Sequence, residues 1–259
     1  MSTTSIGTNH FTLKLKIKPE SVTQRDIFLE EILGIPSYRV QKPLKLNSDQ
    51  FAKTLGKSFL YAKTSCSNQA ELSHLETLGF QVIERNVTLK QEVGYDFEIG
   101  SDQNARYRIG KAKADDRKYV EEIARKNFTF DRFHLDPKIS NIFADEIKKQ
   151  WSGNFFLGKR GDSMVVASEK NRPVAFLLLL FGQKEIIIDL IAVDSKHRNN
   201  GLAKKMINFS KSNNGFSKNF LVGTQASNIP SLKLYKKMGF QKINTQMVLH
   251  YHGPFVNSS

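Results

Sequence analysis

The chain has 259 residues, with 39 Lys and Arg against 25 Asp and Glu, a formal charge of +14, and 39% apolar residues. That length suits one large domain or two small ones, and the apolar share can bury a core, which excludes a disordered tail protein. A single cysteine, Cys66, rules out an intrachain disulfide and fits a reducing compartment, so the cytoplasm is the expected location. Near the start, Phe11 to Ile17 alternates apolar and basic residues and reads as a half-buried strand. Strands are expected at Ser58 to Ala62 and Gln81 to Leu89, with a helix between them from Asn68 to Leu78 that Gly79 terminates. The polar stretch Gly94 to Arg106 has no periodicity and is the boundary candidate, dividing the chain into 1–104 and 105–259. Two amphipathic helices come next, Asp115 to Lys126 and Ser140 to Trp151, joined by a loop carrying Arg132, Phe133, His134 and Asp136. Strands are then expected at Met164 to Ser168, Pro173 to Phe181 and Ile186 to Val193. A helix from Leu202 to Ser212, a strand at Leu221 to Thr224, a helix from Pro230 to Met238 and a strand from Gln241 to Tyr251 complete the order.

No run reaches the roughly 20 apolar residues that cross a bilayer; the longest, Val174 to Phe181, has eight. Residues 1–10 lack the apolar block of a secretory signal. The positive surplus raises nucleic acid, an anionic membrane face or phosphorylated small molecules as partners, but the basic residues are dispersed and largely read as solvated surface. An internal echo is visible. His74 to Leu89 resembles Leu234 to Leu249, each a helix, a Gly-Phe pair and a strand, with Gly79 and Gly239 160 positions apart. This predicts two related lobes.

The most informative stretch is Ile191-Ala192-Val193, followed by Arg198-Asn199-Asn200-Gly201-Leu202-Ala203-Lys204. An apolar strand ends, a short polar turn holds a glycine, and a helix begins at once. Backbone N–H groups in such a turn, backed by the positive end of the helix dipole, cradle phosphate oxygens. Downstream, Asn228 can cap a helix on which Tyr235 lies two turns later, on the same face. With Val193 and the Leu-Tyr-x-x-x-Gly-Phe ending, these residues resemble the GNAT superfamily of acyl-CoA-dependent N-acyltransferases over residues 105 to 259. The resemblance implies a two-lobed α+β fold, with a mixed central sheet flanked by helices and a degenerate GNAT-like first lobe. It further implies that the 198–204 turn binds the pyrophosphate of coenzyme A, that Asn228 meets the pantetheine arm and that Tyr235 faces the thioester sulfur. Asn199 departs from the frequent glycine, although Asn tolerates unusual backbone angles. The combination of Arg132-Phe-His134-Leu-Asp136-Pro, Ile188-Asp189 and Val222-Gly-Thr-Gln225-Ala-Ser-Asn228 resembles the enzymes that acylate dTDP-linked amino sugars for surface polysaccharides. Their expected acyl-CoA is acetyl-CoA or 3-hydroxybutanoyl-CoA, and no metal is expected. Because related enzymes often pair, a homodimer is one expectation.

In the resembled fold the strand ending at Val193 splays from its neighbour, so the amides of Ile191 and Val193 are expected to bind the thioester carbonyl, each worth about 3 kcal/mol. Tyr235 is the candidate acid. A phenol near pKa ~10 is weaker than a thiol near ~8.5, so it works by hydrogen-bonding the sulfur, unless it is simply a core aromatic. Asp189 interrupts an apolar strand and needs a partner: it either orders the amine or a base water, or makes a structural hydrogen bond to a nearby loop. Arg132 and His134 either bind the sugar phosphates or deprotonate the amine, or belong to a solvated turn. Gln225 is assigned to the acceptor. His250 and His252 alternate on one strand and are expected at the surface, too few for a metal site. Two other readings stay open: acylation of a protein, polyamine or antibiotic amine, and a basic nucleic-acid-binding module, which no zinc ligands or aromatic RNA signature support.

Overall fold

The computed structural model describes residues 22–41, 51, 56–92, 106–214 and 219–253. The expected strand at Phe11 to Ile17 and residues 94–105 of the boundary stretch lie outside these. The predicted elements within the described residues are found, with ends that move by at most three residues. They are β3 (Phe59–Ser65), α2 (Gln69–Thr77), β4 (Gln81–Gln91), α3 (Arg117–Asn127), α4 (Asn141–Gly153), β6 (Ser163–Glu169), β7 (Arg172–Phe181), β8 (Glu185–Val193), α5 (Leu202–Asn214), β9 (Asn219–Gln225), α6 (Ile229–Lys237) and β10 (Gln241–His252). Four short elements were not predicted: β1 (Thr23–Arg25), α1 (Ile27–Leu33), β2 (Ser37–Val40) and β5 (Arg108–Lys111). Each is too short to carry a period of its own. Helix α1 holds because the Asp26 side chain accepts from Leu29 N–H and Gly34, at φ +68°, ends it.

The ten strands among the described residues form one sheet in the order β1-β2-β3-β10-β4-β9-β8-β7-β6-β5. Among the described residues only β2/β3 and β8/β9 are parallel. The internal echo is structural. Phe59 and Asn219 open β3 and β9, Gln69 and Ile229 open α2 and α6, and Gln81 and Gln241 open β4 and β10, each pair 160 positions apart. Asn68 and Asn228 cap the two helices by accepting from Glu71 and Ser231 N–H, and Phe80 and Phe240 donate back to the carbonyls of Leu75 and Tyr235. The two units exchange strands: β10 lies between β3 and β4, and β4 lies between β10 and β9.

Two faces of the sheet are covered. On one, Leu202, Met206 and Ile207 of α5 and Tyr235 and Met238 at α6 pack on Leu177, Leu179, Ile186, Ile188 and Val222. On the other, Val120, Ile123 and Ala124, spaced i, i+3 and i+4 on α3, pack on Phe176, Leu178, Leu190 and Ala192. Strand β7 serves both, which is why its sequence is continuously apolar; a fully buried leucine there contributes about 1.5–3 kcal/mol.

Candidate functional site

The site begins where a regular ladder fails. Strands β8 and β9 pair in parallel from Glu185↔Asn219 to Ile188↔Val222 and no further, although β8 runs on to Val193 and β9 to Gln225. At the same level the β7/β8 register slips between Leu178↔Leu190 and Leu179↔Ile188, leaving Asp189 as an extra, bulged residue. A bulge bends a strand and re-aims the residues beyond it, and here it carries the end of β8 away from β9. Past the strand end, Asp194 N–H donates to Val174 O at 2.9 Å. Alternation along an antiparallel pair then turns Ala192 toward β7, and the N–H groups of Ile191 and Val193 toward the opening.

The turn after β8 is built from short local bonds. Asp194 Oδ1 accepts from Lys196 N–H at 2.9 Å, and Asn200 Nδ2 donates to the carbonyls of His197 and Arg198. Arg198 spans it, donating from Nη2 to Asn127 Oδ1 at 3.2 Å and from Nε to Val193 O at 3.4 Å. Asn199 sits at φ +63° and Gly201 at φ +70°, so the asparagine takes the left-handed conformation where glycine is frequent. A Cβ on Gly201 would meet nothing within 4 Å, so the inner wall of the turn is open. Helix α5 starts at Leu202, its first intrahelical acceptor is Gly201 O, and no acidic residue lies in its first turn. The N–H groups that an α-helix leaves unpaired at its start, together with the helix dipole, give this end affinity for an anion.

Tyr235 lies on α6 in the cluster that Ile191 and Val193 also pack against, its ring 5.3 Å from that of Phe240. It is 2% exposed, and burial pushes its phenol well above the ordinary value, so the hydroxyl stays protonated. Asn228 uses its side-chain oxygen to cap α6.

The opposite face of the opening carries buried charge. Asp189 is held by Arg160, through Nε and Nη2 at 2.7 and 2.6 Å, and accepts from Trp151 Nε1 at 3.0 Å; the Arg160 guanidinium also covers the Trp151 ring at 4.4 Å. The partner that an aspartate in so apolar a strand demands is therefore a loop arginine and an indole. The Arg132 guanidinium stacks 3.9 Å from the Tyr61 ring and 4.4 Å from that of Phe133, with Nη1 buried and without a hydrogen-bond partner. It is not part of a solvated turn. His134 is gripped on both sides, Nδ1 by Asp131 at 2.6 Å and Nε2 by Asp145 at 3.0 Å. Burial opposes its charge, but the two carboxylates raise its pKa; with both nitrogens donating it cannot take a proton, so a base role is unavailable while these contacts stand. Asp131, against burial, is held down at about 2 by Lys148 and His134. Gln225 ends β9 opposite Asn86 and hydrogen-bonds Glu84.

His250 and His252 correct the expectation of surface histidines. Both donate to Asp136 Oδ2, at 2.6 and 2.7 Å, and both are buried because β10 is an interior strand of the sheet. These are hydrogen-bond separations, shorter than the about 3.3 Å between two ligands of a tetrahedral zinc. Sequence reasoning also passed over Arg160 and Glu84. The charge on Asp189 was a signal that a cation such as Arg160 had to exist; Glu84, in an ordinary amphipathic strand, gave none.

Residues 118–240 match the model of the acetyltransferase (GNAT) family. The second lobe is therefore similar to GNAT acetyltransferase domains. Proteins of the GNAT family use acyl-CoA, and the open wall at Gly201, the acid-free start of α5 and the unpaired edge of β8 fit its diphosphate and its thioester. Over 148 residues the chain is 27% identical to the spore coat polysaccharide biosynthesis protein SpsD of Bacillus subtilis (strain 168), a match covering 56% of this chain and half the length of that protein. In fold, the chain is similar to a functionally unknown conserved protein from Staphylococcus epidermidis ATCC 12228 (TM-score 0.62, 12% identity, 92% of this chain and 94% of that one). It is also similar to a tandem GNAT protein from the clavulanic acid biosynthesis pathway (TM-score 0.58, 10% identity, 86% and 77%). Among the described residues no helix is long and apolar enough to cross a membrane.

Proposed function

We propose that the protein moves an acyl group, acetyl or 3-hydroxybutanoyl, from acyl-CoA to the 3- or 4-amino group of a dTDP-linked amino-dideoxy-hexose. The product is destined for a surface polysaccharide, and the enzyme works in the cytoplasm as a homodimer. The observation that carries the transferase reading is the opening beyond Ile188 and Val222, edged by the Ile191 and Val193 amides and leading to the turn at Gly201. Bound acyl-CoA supplies a thioester carbonyl as the electrophile. Arg198 to Lys204 hold the diphosphate, Ala192 lines the strand between the two donor amides, and Asn228 meets the pantetheine arm. The two amides polarise the carbonyl where charge develops. Tyr235, kept neutral by burial, donates a hydrogen bond to the departing sulfur without surrendering its proton. Arg132 and Gln225 face the nucleotide sugar. Asp189 acts through Arg160, and His134, locked as a cation, contributes positive charge toward the phosphates.

The sugar reading is supported by the similarity to SpsD and by the buried cations on the acceptor side, which suit a diphosphate. Mass spectrometry of acetyl-CoA and 3-hydroxybutanoyl-CoA incubated with the protein and 3-amino and 4-amino dTDP-sugars should show one N-acylated sugar. Acylation only of protein N-termini, polyamines or aminoglycosides overturns the sugar reading; steeply salt-dependent DNA binding without transfer to any amine overturns the enzyme.

A further inference from the structure

The first lobe lends the opening a charged approach. On the sheet face where α4 packs, register sets the side chains strand by strand. Arg39 of β2 lies opposite Tyr61 of β3, Lys63 stands two positions further along the same face, and Val248 of β10 pairs with both Lys63 and Glu84. The face continues through Asn86↔Gln225 to β9, which borders the opening. Three strand spacings of about 4.8 Å separate β3 from β9, about 14 Å in all. Over β3 the α3–α4 loop sets the Arg132 guanidinium 3.9 Å from the Tyr61 ring, its Nη1 buried and without a hydrogen-bond partner. Arg39, Lys63 and Arg132 therefore gather around one ring.

Within the described residues little neutralises them. Neither the Lys63 ammonium nor the Arg39 guanidinium makes a hydrogen bond or an ion pair there. The carboxylates nearby are committed or discharged. Asp26 accepts from Tyr61 Oη at 2.9 Å and caps α1, Asp131 is held by His134 and Lys148, and burial favours the neutral form of Glu84. Lys63 is exposed, yet the protein around it, and then the charges of Arg132 and Arg39, lower its pKa. A side chain that reaches solvent while partly desolvated lines a concavity, and a concavity with unpaired like charges draws anions.

We infer that Lys63 and Arg39, together with Arg132, clamp the diphosphate of the acceptor, so that the lobe without the coenzyme turn selects which amine enters the opening. Guanidinium forks meet phosphate oxygens in pairs and the ammonium adds a point charge. A ligand held this way has its phosphates over β3 and its far end, carrying the amine, toward β8 and β9. The same cations repel a polyamine or an aminoglycoside, which are positive along their length, so one cluster both attracts the right acceptor and rejects the wrong ones.

The inference rests on the nucleotide-sugar reading above, and binding separates the two. With CoA saturating the turn at Gly201, calorimetry at modest ionic strength titrates dTDP into the wild type, Lys63→Gln, Arg39→Gln and, as a control for charge alone, Lys242→Gln at the other end of β10. Each of the first two variants should bind dTDP at least 10-fold more weakly, and the control within twofold of wild type. The KM for whichever dTDP-sugar is acylated should rise by the same factor, with kcat within threefold. Inorganic pyrophosphate should compete with dTDP for the wild type; failure to compete overturns recognition through the diphosphate. Equal dTDP binding by all four proteins, or none by the wild type, overturns the clamp. In either case acylation of a dTDP-sugar leaves the sugar reading standing, whereas acylation of spermidine alone refutes both. If the variants do not fold, lysine acetylation of the wild type by N-hydroxysuccinimidyl acetate decides: dTDP should protect Lys63, and labelling that dTDP leaves unchanged overturns the clamp.

Discussion

The two lobes repeat one strand–helix–strand unit, yet among the described residues only the second has the opening. In the first, β2 pairs with β3 in parallel from Ser37↔Phe59 to Arg39↔Tyr61 and ends at Val40. In the second, β8 pairs with β9 over a similar length but then bulges at Asp189 and runs on to Val193. The helices differ in one telling side chain: Leu75 holds in α2 the place that Tyr235 holds in α6, each receiving the N–H of the phenylalanine five residues on. Packing thus preserves the scaffold in both lobes, and what sets the second apart is a strand that outruns its partner and the hydroxyl proposed to act there. The scaffold and the site are separable.

The comparison can be strained first at the seam. His250 and Asp136 tie β10, which completes the first lobe, to the α3–α4 loop of the second. Burial lowers His250 to about 4, and the two histidines hold Asp136 well below its usual range. Both groups bind fewer protons folded than unfolded, so their stabilisation is present at pH 7; that of His250 is lost as pH falls from about 6.5 through about 4, and that of Asp136 only in stronger acid, below the ordinary aspartate value of about 3.9. For His250 this amounts to about 3 kcal/mol. A melting-temperature series should fall over that window, and His250→Gln should flatten it; a flat wild-type profile would show that the lobes do not depend on the tie. His134, whose pKa is raised, works in the other sense, its contribution fading as pH climbs past the imidazole range.

A sharper test contrasts two buried tyrosines. Tyr235→Phe should lower kcat about 100-fold with acyl-CoA affinity within twofold, as loss of one donor to developing charge does. The same change at Tyr251, in the core of the first lobe, should leave kcat within about twofold. Equal effects would erase the difference between the lobes. The smallest effect is expected at the turn. Gly201→Val places a branched side chain at φ +70°, with strain on the order of 1–2 kcal/mol, and calorimetry should record about tenfold weaker acetyl-CoA binding.

Much of this was legible in the sequence because the signals were periodic or punctuated. The apolar runs of β7 and β8, the asparagine caps and the Gly-Phe pairs specify local structure through rotamer, capping and turn preferences that need no distant partner. The repeat of 160 residues identified equivalent units. It could not reveal that the units trade strands, because β4 and β10 look alike from within either unit. Within the proposed site, the 198–204 turn read as a strand-to-helix turn and Tyr235 as sharing a helix face with Asn228, their roles coming only with the family resemblance, and Asp189 announced that it needed a partner without saying which. His250 and His252 were misjudged because burial belongs to sheet order, not to alternation, and the burial of Glu84 was invisible because its hydrogen-bond partner, Gln225, lies 141 positions away.

The strand exchange carries a consequence for biogenesis. The first lobe receives an inner strand from β10, which ends at His252. A ribosome will therefore have delivered β1 to β4 long before the strand that belongs between β3 and β4 exists. Until it emerges, those two edges stand open, and the interval is the time in which a nascent chain of this kind would depend on a chaperone.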